Sequence, residues 1–196
     1  MSVALRPYTY ADLADLPDDG TRYEILGGEL LVSPAPSRAH QDTLAALLVL
    51  FRQFVVTTRL GKVYMAPLDV KLSAYTTVQP DLLYISGERL RNQGPGAIAG
   101  APELALEVLS PTTRSVDMVR KFAAYAAAGI QEYWIVDPTR YTISVHALVD
   151  GTYERVEDTE ETARSVVLAG LEIVVADVFA EVDREEMPDG TGPRSS

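Results

Sequence analysis

A single acidic residue inside an apolar segment limits how this chain can fold. Glu107 lies in the run Leu104-Ala105-Leu106-Glu107-Val108-Leu109, which has the length and composition of a buried β-strand. A buried ionised carboxylate must be paired, bind a metal or lie at an exposed strand end, because burying it alone is costly. Asp81 stands after Pro80 at the start of a second such run, Leu82-Leu83-Tyr84-Ile85. The fold must therefore supply partners for two carboxylates in buried strands.

Short strands alternate along the chain with two long amphipathic helices. Apolar residues three and four apart predict helices over 37–56 and 115–128, the second capped by Gly129. Gly27-Gly28 can form the turn of a hairpin between two strands. The predicted strands are 22–26, 29–33, 63–65, 68–72, 82–85, 104–109, 133–136, 141–148, 153–156 and 166–168. This alternation of strands and helices is typical of a mixed α/β protein.

Length and composition set broader limits. The chain has 196 residues, of which 47% are hydrophobic, and we expect one domain over residues 1–184 with a disordered tail at 185–196. Because cysteine is absent, disulfides, thiolate metal sites and a thiol nucleophile are excluded. The apolar stretches are shorter than the roughly 20 residues that span a bilayer, and the N-terminus lacks a signal-peptide pattern. We therefore expect a cytoplasmic protein with no membrane partner.

The net charge of −11 argues against indiscriminate binding of nucleic acid, whose phosphates attract basic surfaces. The acidity is concentrated in the last quarter of the chain. Residues 151–196 contain 12 acidic and 4 basic residues, which leaves 16 acidic and 13 basic residues in 1–150. The net charge therefore makes binding of nucleic acid less favourable but does not exclude it.

The positions of the acidic residues suggest a metal-dependent hydrolase. If their strands are neighbours, Asp81 and Glu107 can bind one divalent cation, and hard oxygen ligands favour Mg²⁺ or Mn²⁺. The backbone carbonyl of Val108 is a candidate third ligand. Lys121 lies on the following helix, one turn from Tyr125, where its ammonium could orient a metal-bound water and stabilise charge on a phosphoryl group. This chemistry is phosphodiester hydrolysis.

These residues belong to a longer ordered set of motifs. The set comprises Pro102-Glu103-Leu104-Ala105-Leu106-Glu107-Val108-Leu109-Ser110-Pro111, Asp117, Lys121, Tyr125 and Gly129-Ile130-Gln131-Glu132-Tyr133-Trp134-Ile135-Val136-Asp137-Pro138. It resembles the Uma-two family of restriction endonucleases, a branch of the PD-(D/E)xK nuclease superfamily. The resemblance implies a restriction-endonuclease-like fold, a central mixed β-sheet flanked by helices, with Asp81 and Glu107 as metal ligands. The superfamily has a lysine two residues after the glutamate, where this chain has Leu109, so the resemblance implies that Lys121 takes that role.

Four of the candidate site residues also have a purely structural interpretation. Glu24 and His40 are further catalytic candidates, but Glu24 could be a surface carboxylate of the hairpin and His40 an ordinary residue of the first helical turn. Asp81 could cap a turn before its strand. Lys121 could be a solvated helix lysine paired with Asp117.

Two functions remain open at this point. The first is a Mg²⁺- or Mn²⁺-dependent DNA endonuclease acting as a homodimer, because cutting both strands with one site per chain requires two sites. The second is a nuclease-fold module that binds nucleic acid or regulates another protein and cleaves weakly, which the acidic charge favours. Metal-dependent cleavage of DNA would separate them.

Overall fold

Thirteen strands form three sheets in the described part of the chain. The computed structural model describes residues 6–17, 19–33, 35–110, 116–157 and 161–182, with the backbone alone at 116–118. The strands are Arg22–Leu26 (β1), Glu29–Ser33 (β2), Gly61–Met65 (β3), Val70–Ser73 (β4), Thr76–Val78 (β5), Leu82–Ser86 (β6), Ile98–Ala99 (β7), Leu104–Val108 (β8), Glu132–Asp137 (β9), Thr142–Val149 (β10), Thr152–Arg155 (β11), Thr162–Arg164 (β12) and Glu172–Val174 (β13). One sheet has the order β2-β1-β5-β4-β7, another β11-β10-β9-β8-β6-β3, and β12 pairs with β13. In the six-stranded sheet β8 and β9 are parallel, so this sheet is mixed.

The two long predicted helices are present, with one difference in type, and two short helices were not predicted. The α-helices are Arg38–Thr58 (α1), Gly87–Leu90 (α2), Phe122–Ala128 (α3) and Val175–Val178 (α4), and a 3-10 helix spans Tyr10–Asp15. The helix predicted over 115–128 begins as a π-helix, Val116–Lys121, and continues as α3, while residue 115 lies outside the described residues. Gly129 ends α3 at φ +83°, a left-handed conformation that glycine adopts without strain.

The six-stranded sheet separates two hydrophobic cores. Alternate side chains of its strands face opposite sides, as the pleat requires. Leu106 and Trp134 pack with Phe51 of α1 on one side. Ala105 and Tyr133 pack on the other side with α3 and with residues of the five-stranded sheet. The expected central mixed sheet flanked by helices is therefore confirmed.

One predicted strand is shifted along the chain and another is absent. Residues 68–72 were predicted as a strand, whereas β4 spans Val70–Ser73 and belongs to the five-stranded sheet. The strand predicted over 166–168 is wrong, because the neighbouring strand is β12 and the main-chain N–H groups of Val166 and Val167 donate to the Glu132 carboxylate. An apolar run alone does not distinguish a strand from a segment tied down by a side chain.

Three expectations concern membrane spans, domain number and the tail of the chain. Among the described residues, the structure contains no helix long and apolar enough to cross a bilayer. The single domain over residues 1–184 stays a prediction. The tail predicted over 185–196 lies outside the described residues.

Candidate active site

Asp81 and Glu107 lie across from each other on adjacent strands. β6 pairs antiparallel with β8, with Leu82 opposite Leu106, and continuing this register brings Asp81 opposite Glu107. Each residue is only 2% exposed. Both side chains point to the sheet face that packs against α3, because they alternate with residues of the opposite core. The adjacency expected from the sequence is confirmed.

Asp81 is held by three donors from different parts of the chain. Its Oδ1 accepts a hydrogen bond from Arg22 Nη1 at 2.7 Å. Its Oδ2 accepts one from the main-chain N–H of Val108 at 2.8 Å and lies 3.1 Å from His40 Nε2. Burial raises the pKa of Asp81, but the His40 hydrogen bond and the Arg22 charge outweigh burial and hold the pKa below its usual range. Asp81 is therefore ionised at neutral pH.

Glu107 is contacted by two side chains of the following helical segment. Its Oε1 accepts a hydrogen bond from the Tyr125 hydroxyl at 2.6 Å and lies 3.0 Å from Lys121 Nζ. Burial and the nearby Glu107 charge raise the pKa of Tyr125 well above its usual value, so the phenol stays protonated and donates. Lys121 is 2% exposed, so the interpretation as a solvated lysine is wrong. The side chain of Asp117 lies outside the described residues.

Glu24 and His40 are also part of this cluster. Glu24 is 2% exposed, so it is not a surface carboxylate of the hairpin. Its Oε1 accepts a hydrogen bond from the main-chain N–H of Gln79 at 2.7 Å and lies 3.0 Å from Lys121 Nζ. His40 reaches Asp81 from the first turn of α1, where Ser37 caps the helix. The ammonium of Lys121 therefore lies between two carboxylates, from Glu24 and Glu107.

Arg22 is the member that sequence reasoning missed. Its Nη1 bonds Asp81, its Nη2 donates to the Gln79 carbonyl, and Nη2 lies 3.8 Å from both Glu24 Oε1 and Glu107 Oε2. Burial lowers the pKa of Arg22, but the three carboxylates raise it above its ordinary value. One signal was available: Arg22 and Glu24 are two apart in β1 and so share a face of that strand.

The cluster lies at the base of an open cleft. The cleft has a volume of about 1270 Å³ and is lined by Arg22, His40, Asp81, Glu107 and Lys121. Apolar side chains of α1, including Leu44 and Leu48, form part of its wall. The buried charges are thus accessible to a ligand from one side, as a reaction centre requires.

The carboxylate oxygens of the cluster suit a hard divalent cation. The side chains of Arg22 and Lys121, however, already lie among these oxygens. Asp81 and Glu107 offer carboxylate oxygens, and Mg²⁺ commonly uses one or two carboxylates and completes its shell with water. In the part of the chain that the structure describes, no three His, Cys, Asp or Glu side chains are arranged to hold a metal. Arg22 and Lys121 contact the oxygens that a metal would use. The oxygen chemistry is suitable, but a metal would have to change these contacts.

The fold matches that of a solved protein structure. A solved structure described as a "putative nuclease belonging to DUF820", from Anabaena variabilis ATCC 29413, superposes with a TM-score of 0.74. The two chains are 20% identical, and the match covers 89% of this chain and 98% of that chain. At this identity the likeness shows the fold alone. The expected α/β, restriction-endonuclease-like fold class is confirmed.

The family follows from the sequence match. The Uma2 family model, described as "Putative restriction endonuclease", matches residues 10–176. The chain therefore belongs to the Uma2 family, as the motifs around Glu107 and Lys121 indicated. No curated protein matches the chain.

Proposed function

We propose that the protein is a metal-dependent endonuclease that hydrolyses phosphodiester bonds of DNA. One observation carries the proposal: two buried carboxylates and a buried lysine line an open cleft, and a third buried carboxylate, from Glu24, contacts the lysine from behind them. Burying this many charges together is costly to stability, and such clusters are typical of reaction centres. Membership in a family described as restriction endonucleases supports the same activity.

The roles follow the superfamily pattern named above, PD-(D/E)xK, with the lysine moved to the helix. Asp81 and Glu107 would hold Mg²⁺ or Mn²⁺ together with the Val108 carbonyl, and the ion supplies Lewis-acid chemistry and a more acidic bound water. Lys121 lines the cleft beside Glu107, where its ammonium can stabilise negative charge that develops on the phosphoryl oxygens.

Two other residues support these groups. Glu24 holds the Lys121 ammonium from the side opposite Glu107, which fixes the direction in which it can donate. His40 bonds Asp81 Oδ2 and limits the rotation of that carboxylate. We assign both as positioning residues, since each acts on another residue of the cluster.

The second candidate is a nuclease-fold module that binds nucleic acid or regulates another protein and cleaves weakly. Weak cleavage is favoured by the arrangement of charges, because Arg22 and Lys121 are both engaged by carboxylates of the cluster rather than presented to a phosphate group. The net charge of −11 disfavours contact with nucleic-acid phosphates, so it favours the regulatory form of this candidate.

Purified protein incubated with duplex DNA, single-stranded DNA and RNA, in Mg²⁺, Mn²⁺ and EDTA, separates the two candidates. We expect cleavage of DNA with either metal and none with EDTA. Asp81→Asn should remove the activity, whereas Asp42→Asn, a matched change of an exposed cleft carboxylate, should retain it. Metal-independent cleavage would contradict the metal dependence, and DNA binding without cleavage at any metal concentration would contradict the endonuclease activity.

We further propose a homodimer, because cutting both strands of a duplex with one site per chain requires two symmetry-related sites. Sedimentation at micromolar concentration should give twice the mass of the chain. A monomer under the conditions that support duplex cleavage would contradict this assembly. The cytoplasmic location also stays a prediction.

A further inference from the structure

We propose that Arg22 is the exchangeable counter-ion of the carboxylate cluster, which leaves its present contacts when a divalent cation binds. The inference rests on the proposed metal dependence. It assigns to Arg22 a positioning role: its guanidinium keeps the carboxylates converged in the absence of metal and sets the metal affinity of the site.

The first support is that one guanidinium contacts every carboxylate of the cluster. Arg22 Nη1 lies 2.7 Å from Asp81 Oδ1, and Nη2 lies 3.8 Å from Glu24 Oε1 and 3.8 Å from Glu107 Oε2. Three negative charges without such a cation would repel one another in a buried site. The guanidinium therefore supplies part of the charge that a metal ion would supply.

The second support is that Arg22 can leave, whereas Lys121 is enclosed. The Arg22 side chain is 23% exposed and faces the cleft of about 1270 Å³, which gives it space to move. The Lys121 side chain is 2% exposed, with Nζ 3.0 Å from both Glu24 and Glu107. Of these two cations of the cluster, Arg22 is the one with room to withdraw.

The third support is that Arg22 is incompletely satisfied where it lies. Its contacts with Glu24 and Glu107 are longer than hydrogen bonds, so they act through charge alone. Its buried Nε has no hydrogen-bond partner among the described residues. Withdrawal therefore breaks few hydrogen bonds, namely those to Asp81 and the Gln79 carbonyl.

Metal and guanidinium compete for the same oxygens. A cation bound by Asp81 and Glu107 would need the Asp81 oxygen that Arg22 now uses, and two positive charges at that distance repel. Since binding of one then weakens binding of the other, removing the guanidinium must strengthen metal binding.

The test is titration calorimetry with Mn²⁺ and with Mg²⁺ on the full chain and on Arg22→Met. We expect the variant to bind metal about tenfold or more tightly. The free energy of this gain is a modest part of the repulsion between two like charges at this distance. Its melting temperature should fall without metal and recover more on metal addition than that of the parent chain. Arg164→Met, a matched loss of an exposed arginine paired with Glu172, should leave the metal affinity unchanged.

The outcomes separate this inference from the proposed function. Equal or weaker metal binding by Arg22→Met would overturn the counter-ion role and leave Arg22 as a structural residue. Failure of both proteins to bind metal would overturn the proposed metal dependence, and the inference with it.

If Arg22→Met does not fold, the same question can be asked of the unmodified chain. The ¹⁵N-Nε resonance of Arg22, assigned by its loss in Arg22→Lys, should move as metal is added, because the guanidinium changes partners. A resonance that stays in place while the metal binds would overturn the proposal.

Discussion

Two buried glutamates on neighbouring parallel strands have different kinds of hydrogen-bond partners. Glu107 lies near the end of β8 and faces α3, whereas Glu132 begins β9 and faces the core that contains Trp134. Glu132 accepts hydrogen bonds from four neutral donors: Trp134 Nε1, Ser165 Oγ and the main-chain N–H groups of Val166 and Val167, at 2.6–2.9 Å. Glu107 is instead bonded by an ammonium and a phenol.

The difference between the two carboxylates lies in what surrounds them. Glu132 is fully buried, and three of its four donors belong to the segment 165–167, which these hydrogen bonds hold against the sheet. Glu107 borders the cleft, and its partner Lys121 also borders it. A carboxylate enclosed by neutral donors has a structural role, whereas one that shares cations at a cleft can exchange partners. Burial alone therefore does not identify a reaction centre.

The largest effect should come from removing a proposed ligand. Asp81→Ala or Glu107→Ala should abolish measurable cleavage and weaken metal binding, because each deletes a ligand. Glu132→Gln, measured well below its melting temperature, should keep the metal affinity of the parent chain. Calorimetry and a plasmid cleavage assay provide the two readouts. Loss of metal binding in Glu132→Gln would erase the distinction between the two glutamates.

A smaller effect is expected for Lys121. Lys121→Ala should lower the cleavage rate roughly 10²–10³-fold, the scale of one preorganised electrostatic donor, while metal binding survives. Arg120→Ala is the matched control, because Arg120 forms an exposed pair with Glu29 at 2.7 Å and should tolerate the change. Single-turnover kinetics with saturating metal measures both. An unchanged rate in Lys121→Ala would mean that another group meets the phosphoryl charge.

Replacement of Glu132 should lower the stability of the fold rather than metal binding or cleavage. Glu132→Gln places an amide where two of the four donors now point, and we expect the free energy of unfolding to fall by about 2 kcal/mol. Urea unfolding followed by Trp134 fluorescence is a direct measurement, since Trp134 Nε1 donates to Glu132. A variant as stable as the parent chain would show that these hydrogen bonds contribute little.

The smallest effect concerns protonation away from the cleft. Burial, and then the nearby Arg155 charge, lower the pKa of His146, so the folded state disfavours its charged form. The unfolded state then binds more protons below the unfolded pKa of about 6.5, and stability falls as the pH drops through that value. We expect this contribution to be under about 1 kcal/mol between about pH 7 and pH 5, because the side chain is only partly buried. His146→Gln should reduce the pH dependence of the free energy of urea unfolding. If that free energy changes with pH equally in the variant and the parent chain, His146 is not the group responsible.

The sequence predicted the carboxylates better than their partners. Asp81 and Glu107 stand out because each charge interrupts or precedes an apolar run, which is a local signal. Arg22 gave only the weak signal that it shares a strand face with Glu24, and its bond to Asp81 joins β1 to the residue before β6, 59 positions along the chain. Residues 166–168 were predicted as a strand because they are apolar, but the N–H groups of Val166 and Val167 pair with the Glu132 side chain on β9, which no local pattern reveals.

The cluster joins parts of the chain that are far apart in order of synthesis. Arg22 and Glu24 come from the first strand, Asp81 and Glu107 from the middle, and Lys121 from a later helical segment. A growing chain cannot complete the cluster until Lys121 has left the ribosome, after strands β1 to β8 have been made. A partly synthesised chain would therefore lack hydrolytic activity, because the residues of the cluster are far apart in the sequence.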